Sequence, residues 1–147
     1  MSDNSFDNSF DSWQWQLKAR IKTASQLVEK FPSLSSQRTS LTKAIAQFPV
    51  GITPYYASLI READYSDPVF AQSVPSASEN IDSVLSNDPL AEEIYMPVSG
   101  LTHRYPDRVL LYTTHFCPVY CRHCNRRRKV ATPVDSSFSR LFTEQLD

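Results

Sequence analysis

Residues 115–128 constrain this chain more than any other stretch, because they hold all three of its cysteines and a run of basic residues. Cys117, Cys121 and Cys124 are spaced Cys-x3-Cys-x2-Cys, which brings three thiolates within reach of one metal centre. Thiolate ligands select iron-sulfur clusters, zinc or copper(I). A four-iron cluster held by three cysteines leaves one iron without a protein ligand, and that iron can bind a substrate or cofactor directly. The spacing therefore favours an open iron-sulfur site.

Two other uses of the cysteines need to be weighed. A structural zinc site would require a fourth ligand, and His115 or His123 could complete a tetrahedral shell of three cysteines and one histidine. Zinc knuckles and ribbons usually pair Cys-x2-Cys with a distant second pair, however, and the sequence has no such pair. A disulfide framework would leave an odd thiol over. Both alternatives fit the spacing less well than a cluster.

Composition excludes several classes of protein. A chain of 147 residues with 41% hydrophobic and 21% charged content is typical of one globular domain. The net charge of −1 argues against a general nucleic-acid binder. The apolar run at 109–112 is far too short to span a bilayer, and the polar, acidic N-terminus does not resemble a signal peptide. We therefore expect no membrane partner, no nucleic acid and a reducing cytoplasmic location.

The pattern up to residue 106 predicts a helical and extended region. A tandem Asp-Asn-Ser-Phe repeat makes residues 1–11 a disordered tail. Apolar residues at three- and four-residue steps predict one helix over 13–31, ended by Pro32, and a second over 41–48. Thr53-Pro54 and Asp67-Pro68 each combine an N-cap residue with proline at the first helical position, so each opens a further short helix.

Residues 75–106 carry four prolines in a mixed polar sequence, and we expect extended or irregular segments with a turn at Asp88-Pro89-Leu90. The run from Arg108 to Thr114 then predicts a strand, and its continuous apolar character is typical of a parallel strand covered on both faces. Ser136 or Ser137 would cap a following helix. The predicted fold class is α/β, with residues 107–147 forming a strand, cysteine loop and helix, the first unit of a (β/α) barrel.

Several motifs together resemble the lysine 2,3-aminomutase family of radical S-adenosylmethionine enzymes. The similarity covers roughly residues 13 to 130 and is carried by Trp13-Gln14-Trp15-Gln16, Thr53-Pro54-Tyr55-Tyr56-Ala57-Ser58-Leu59-Ile60, Gln72-Ser73-Val74-Pro75, Asp88-Pro89-Leu90, Gly100-Leu101-Thr102-His103-Arg104-Tyr105-Pro106-Asp107-Arg108-Val109-Leu110-Leu111 and Cys117-Pro118-Val119-Tyr120-Cys121-Arg122-His123-Cys124-Asn125-Arg126-Arg127-Arg128. The cysteine spacing alone indicates only the superfamily. Joined to the His-Arg-Tyr-Pro-Asp-Arg and Cys-Arg-His-Cys motifs, it indicates the aminomutases.

The resemblance implies an enzyme with three cofactors. Cys117, Cys121 and Cys124 would hold a 4Fe-4S cluster, S-adenosyl-L-methionine would bind its open iron, and His123 would lie beside that cofactor. The radical formed from S-adenosyl-L-methionine would act on an amino acid bound to pyridoxal 5′-phosphate. The reaction implied is an isomerisation that moves the α-amino group to the β-carbon, with L-lysine the leading substrate and glutamate or arginine as alternatives.

The resemblance also implies two anion contacts. Arg104, Tyr105 and Arg108 would lie at the pyridoxal phosphate, and Arg126 would bind the substrate carboxylate. Arginine suits both tasks because its guanidinium forms a bidentate fork to phosphate or carboxylate. We expect the rest of the basic run, 127–129, to face solvent or a partner. The resemblance assigns no catalytic residue within the chain.

The sequence also departs from the family. A full barrel takes ~200 residues or more, whereas this sequence ends at Asp147. It lacks the glycine-rich segment for the methionine end of the cofactor, the Schiff-base lysine and the acidic residues that read the substrate side chain. We therefore expect an N-terminal portion that is inactive alone, the product of a truncated, frameshifted or split gene or of an incomplete gene model. A homo-oligomer or a companion C-terminal chain is the expected partner. The alternatives are a small zinc- or nucleic-acid-binding module and a non-functional gene remnant.

Overall fold

The computed structural model of the chain describes residues 10–80 and 88–130. Most of the predicted tail over 1–11 and the predicted helix after Ser136 lie outside these residues. The chain divides into two compact units, residues 1–82 with 118–124 and residues 83–117 with 125–147. Within the described ranges, no helix has both the length and the apolar character needed to cross a membrane.

Short helices build the first unit. They are α1 (Trp13–Lys18), α2 (Ala24–Lys30), α3 (Arg38–Gln47), α4 (Pro54–Ser58) and α5 (Pro68–Ser73), with 3-10 helices at Pro32–Gln37 and Ala77–Asn80. Their apolar faces enclose one core, in which Leu27, Leu41, Ile52 and Phe70 have no exposed surface. Burying a side chain of this size stabilises the fold by about 1.5–3 kcal/mol. No helix here is long enough to be stable by itself, so the shared core holds them.

The prediction of one helix over 13–31 is wrong, because the chain breaks between α1 and α2. Ile21 forms an isolated antiparallel bridge with Ile52, its N–H donating to the Ile52 carbonyl at 2.8 Å. Thr23 then restarts the helix through a capping box with Gln26. The apolar periodicity continues across the break. For this reason the sequence pattern did not reveal the bridge at Ile21 or the capping box at Thr23.

The other helix predictions for this unit are confirmed. α3 covers most of the predicted 41–48 and begins three residues earlier, at Arg38. Thr53 caps α4 and Asp67 caps α5, and each helix has proline in its first turn. The fixed φ of proline and the side-chain cap before it thus define where α4 and α5 begin, as expected.

The second unit contains a β-hairpin. Strand β1 (Leu101–Tyr105) pairs antiparallel with β2 (Arg108–Leu111), with a shift of register inside β1, and a 3-10 helix at Glu93–Tyr95 precedes them. The turn at Asp88-Pro89-Leu90 is confirmed, since the Ala91 N–H donates to the Asp88 carbonyl at 3.0 Å.

The prediction of a parallel, doubly covered strand over 108–114 is wrong for the described residues. β2 ends at Leu111, pairs antiparallel, and leaves Val109 and Leu110 exposed. Its partner β1, with the sequence Leu-Thr-His-Arg-Tyr, lies within the segment predicted to be irregular. β1 is too polar to be recognised as a strand, and without it the apolar run of β2 resembled a buried parallel strand.

Asp67 is the most heavily used cap of the first unit. Its carboxylate accepts from the backbone N–H groups of Val69 at 2.8 Å, Phe70 at 2.9 Å, Arg61 at 2.9 Å and Glu62 at 3.2 Å. These bonds, led by those from Phe70 and Arg61, lower the pKa of Asp67 from 3.8 to about 2. The ionised side chain therefore ties the start of α5 to the turn that precedes it.

We predict that Asp67→Ala lowers the melting temperature at neutral pH, because four backbone N–H groups lose their acceptor. The folded-state pKa is depressed, so the contribution is complete above about pH 4 and is lost as the pH falls toward about 2. The difference in melting temperature between wild type and variant, measured by thermal denaturation, should therefore shrink as the pH falls through this range. Asp11→Ala, at an exposed position, is the control, and an equal loss of stability in both variants would contradict the prediction.

Candidate functional site

None of the three cysteines forms a disulfide, and each has intermediate exposure. Cys117 belongs to the second unit, and Cys121 and Cys124 to the first. Within residues 10–80 and 88–130, no group of three or more His, Cys, Asp or Glu side chains is arranged to hold a metal ion. The assignment of a cluster to these cysteines, and of zinc with His115 or His123 as the alternative, stays a prediction.

Backbone hydrogen bonds fix the cysteine-bearing segment of the first unit, residues 118–124. The Tyr120 N–H donates to the Gly51 carbonyl at 2.8 Å, and the Arg122 N–H donates to the Gln72 carbonyl at 2.7 Å. A Cβ on Gly51 would lie 3.0 Å from the Tyr120 ring, so any other residue there would require the ring to move by a few tenths of an ångström. Both bonds flank Cys121, which is therefore positioned by its neighbours.

The side chain of Gln72 contacts the sulfur of Cys121. Its Nε2 lies 3.4 Å from Cys121 Sγ and donates to it. An N–H group directed at sulfur is the kind of outer hydrogen bond that metal-bound cysteine receives. A thiol with such a donor fits the soft metal centre predicted from the spacing.

Arg122 anchors the same segment through its side chain, which is 9% exposed. The guanidinium donates to Glu79 at 3.1 Å from Nε, and to the carbonyls of Phe48 at 3.3 Å and Pro49 at 3.0 Å. It also lies over the Phe48 ring, 5.2 Å from its centroid. Arg122 thus joins the cysteine segment to the end of α3, a role that its position between two cysteines did not reveal.

A cavity of about 380 Å³ lies within the second unit, and it gathers the residues predicted to bind anions. It is lined by Leu90, Glu92, Thr102, Arg104, Tyr105, Arg108, Val109, Leu110 and Arg126. Three guanidinium groups face one carboxylate among these residues, which leaves an excess of positive charge. The hairpin supplies Arg104, Tyr105 and Arg108, and Arg126 comes from the segment after the cysteines.

Glu92 is the buried carboxylate of this cavity, with 4% of its surface exposed. Arg126 donates to its Oε1 from Nη2 at 2.6 Å and from Nε at 2.9 Å, and the Tyr112 hydroxyl donates to its Oε2 at 2.7 Å. Burial alone would raise the pKa of Glu92, but the hydrogen bonds from Arg126 and Tyr112 outweigh it and hold that pKa below its usual range. The bond to Glu92 likewise raises the pKa of Arg126.

The remaining predicted site residues are exposed or have partners that are themselves accessible. Arg104 donates to the Leu90 carbonyl at 2.9 Å, and Arg108 forms an exposed ion pair with its neighbour Asp107. Tyr105 is 55% exposed, and His123 is exposed in the first unit. Arg104, Tyr105 and Arg108 are therefore available to a ligand without leaving buried partners.

The expectation that residues 127–129 face solvent or a partner is wrong for Arg128, which is held by acidic residues of its own chain. Its side chain is 17% exposed and pairs with Asp88 at 3.0 Å and Glu93 at 3.1 Å. The Lys129 ammonium lies 4.4 Å from the centroid of the Tyr112 ring, and its pKa is lowered by burial and by the charge of Arg128. The acidic residues 88, 92 and 93 were the missed signal, because the sequence separates them from the basic run they neutralise.

Comparison with known proteins finds close relatives. The chain is 43% identical over 131 residues to the L-lysine 2,3-aminomutase of Clostridium subterminale, a match that covers 88% of the chain and 32% of that protein. It is 44% identical over 136 residues to the L-lysine 2,3-aminomutase of Methanococcus maripaludis, covering 89% and 31%. It is 32% identical over 144 residues to the glutamate 2,3-aminomutase of Clostridioides difficile, covering 98% and 34%. No family model matches. The chain spans about a third of the length of these curated relatives.

We predict that Arg122→Lys lowers the free energy of unfolding by about 1–3 kcal/mol, because lysine keeps the charge but loses the fork that reaches Glu79 and two carbonyls. Urea denaturation measures this change, and faster alkylation of the Cys121 thiol should accompany it. Arg38→Lys is the matched control, since exposed Arg38 donates to the Ser25 hydroxyl at 2.9 Å. Equal effects of the two substitutions would show that Arg122 is not an anchor.

Proposed function

The chain belongs to the lysine 2,3-aminomutase family as an N-terminal portion, and we propose that it provides two binding sites of an amino-acid 2,3-aminomutase. One is the cysteine ligand set for a 4Fe-4S cluster and its S-adenosyl-L-methionine. The other is the arginine-lined cavity, which would take pyridoxal 5′-phosphate and the substrate carboxylate. The reaction would move an α-amino group to the β-carbon, which makes the whole protein an isomerase.

The cavity is the observation that carries this proposal. Arg104 and Arg108 offer guanidinium groups to a phosphate, and the exposed ring of Tyr105 lies between them in sequence. Arg126 offers a further guanidinium to a carboxylate in the same cavity. Phosphate, aromatic ring and carboxylate are the three parts of an amino acid joined to pyridoxal phosphate, and the cavity has a matching group for each.

The cofactors supply the difficult chemistry when bound: the cluster with S-adenosyl-L-methionine supplies the radical, and pyridoxal phosphate supplies electron withdrawal. The contribution of this chain would be to bind and orient. Cys117, Cys121 and Cys124 would ligate the cluster, His123 would lie beside S-adenosyl-L-methionine, and the Gln72 amide would stabilise the Cys121 sulfur. Buried Arg122 would keep the cysteine segment in place.

L-lysine is the proposed substrate, because the relatives named for lysine reach 43–44% identity and the relative named for glutamate 32%. We further propose that the whole protein is cytoplasmic and carries a radical S-adenosylmethionine (β/α) barrel that begins within residues 107–147. The relatives are about three times as long as the region matched, which leaves room for the ~200 residues of a barrel. The Schiff-base lysine and the groups that read the substrate side chain would lie in the part of the protein that the matched region does not cover.

The cavity assignment is tested with pyridoxamine 5′-phosphate, whose amine cannot react with surface lysines as an aldehyde would. We predict that fluorescence titration gives at least about tenfold tighter binding than for pyridoxamine, because charge-assisted hydrogen bonds to the phosphate are each worth about 1.5–3 kcal/mol. Arg104→Ala and Arg108→Ala should each remove most of that preference, whereas Arg38→Ala in the first unit should not. Equal binding of the two compounds would contradict a phosphate site.

The cysteine assignment is tested by anaerobic reconstitution with iron and sulfide. We predict about four irons and four sulfides per chain, with a reduced cluster detected by electron paramagnetic resonance. Replacing Cys117, Cys121 or Cys124 by alanine should each abolish the signal, since three ligands are the minimum for an open-iron cluster. Stoichiometric zinc bound in preference to iron would instead support the structural zinc alternative.

A further inference from the structure

The buried Glu92 holds Arg126 along one edge. The hydrogen bonds of Arg126 to Glu92 and Tyr112 use only Nε and Nη2, so Nη1 takes no part in them. The Arg126 side chain is 41% exposed whereas that of Glu92 is 5% exposed. One edge of the guanidinium is therefore bound within the fold, and the side chain still lines the cavity.

Tyr112 supports the carboxylate from its other side. Its hydroxyl donates to Glu92 Oε2 while its ring lies beneath Arg126, 5.7 Å from the guanidinium carbon. Tyr112 is itself 7% exposed. Glu92 is thus fixed by two donors, and a carboxylate fixed in this way is a rigid support for the long, flexible side chain of Arg126.

We propose that Glu92 is the positioning residue of the cavity: it orients Arg126 so that the Nη1 end of the guanidinium receives the carboxylate of an amino-acid ligand. The proposal rests on the proposed function, because it assumes that the cavity takes an amino acid joined to pyridoxal phosphate. Holding the guanidinium in advance reduces the side-chain entropy lost on binding, so Glu92 contributes to carboxylate affinity without contacting the ligand.

A positioning role and a purely electrostatic role of Glu92 predict different changes in anion binding when its charge is removed. If Glu92 acted only as a negative charge in the cavity, removing it would strengthen the binding of every anion. If it positions Arg126, removing it weakens recognition of the carboxylate and leaves recognition of the phosphate, made by Arg104 and Arg108, nearly unchanged.

The experiment uses N-(5′-phosphopyridoxyl)-L-lysine, a stable secondary amine, and the corresponding lysinamide, which lacks the carboxylate. Both dissociation constants are measured by fluorescence titration of the 147-residue chain. The constant for the lysinamide conjugate divided by the constant for the lysine conjugate isolates the contribution of the carboxylate. We expect wild type to prefer the lysine conjugate by about tenfold or more. Glu92→Gln should reduce that ratio at least about threefold, because an amide turns a donor toward Arg126 or Tyr112, while affinity for pyridoxamine 5′-phosphate changes less than about twofold.

Glu93→Gln is the matched control, since Glu93 is an adjacent, exposed carboxylate that pairs with Arg128, and it should leave the ratio unchanged. If Glu92→Gln does not fold, Tyr112→Phe decides, because it removes one donor to Glu92 and should lower the ratio by a smaller factor. An unchanged ratio in the folded variant, or an equal loss of affinity for all three compounds, overturns the proposal. Failure of pyridoxamine 5′-phosphate to bind wild type would overturn the proposed function itself.

Discussion

A buried guanidinium holds the most chemically important segment of this chain in place. Residues 118–124 lie in neither a helix nor a strand, so they lack the repeated hydrogen bonds that make regular elements rigid. Arg122 compensates by donating to Glu79 and to two backbone carbonyls near the end of α3. The pair is partly buried, with 9% of the Arg122 side chain and 24% of the Glu79 side chain exposed, so losing one partner costs at most about 3–5 kcal/mol. The position of Cys121 therefore depends on the ion pair made by the next residue in the chain.

Each arginine-rich part of the chain is balanced by acids far away in the sequence. Arg122 pairs with Glu79, Arg126 with Glu92, and Arg128 with Asp88. Consequently two members of a run that resembles a basic patch, Arg126 and Arg128, are each paired with a carboxylate inside the fold. The four charges of 126–129 serve different purposes, and exposure separates them: Arg126 reaches the cavity, whereas Arg128 is enclosed.

The sequence predicted best those features that are encoded locally. The caps at Thr53 and Asp67 were correct, because an N-cap residue followed by proline acts within one turn. The break at Ile21 was missed because its partner, Ile52, lies in another part of the chain. β1 was missed for the same reason: a short polar strand is defined by its pairing with β2 and carries little signal of its own.

The residues of the candidate site show the same difference between features encoded locally and features that depend on distant parts of the chain. The motif alone identified Arg104, Tyr105, Arg108 and Arg126, and these residues do line one cavity. It did not identify Glu92 and Tyr112, which hold Arg126, or Gln72 and Glu79, which contact Cys121 and Arg122, because nothing in the sequence distinguishes a buried glutamate from an exposed one. Supporting residues become visible only when distances and burial are known, whereas ligand-binding residues can be recognised from motifs.

The close contact between Gly51 and the Tyr120 ring also limits how this protein can be engineered. Replacing glycine by alanine is a common route to higher thermal stability, because it restricts the unfolded chain. This sequence has only two glycines: a Cβ on Gly51 would lie 3.0 Å from the Tyr120 ring, which would have to shift, and Gly100 has a φ of 83° that alanine rarely adopts. Glycine replacement therefore offers little at either position. A more heat-resistant variant of this region would instead gain stability through packing or ion pairs in the folded state, or through proline at compatible positions elsewhere.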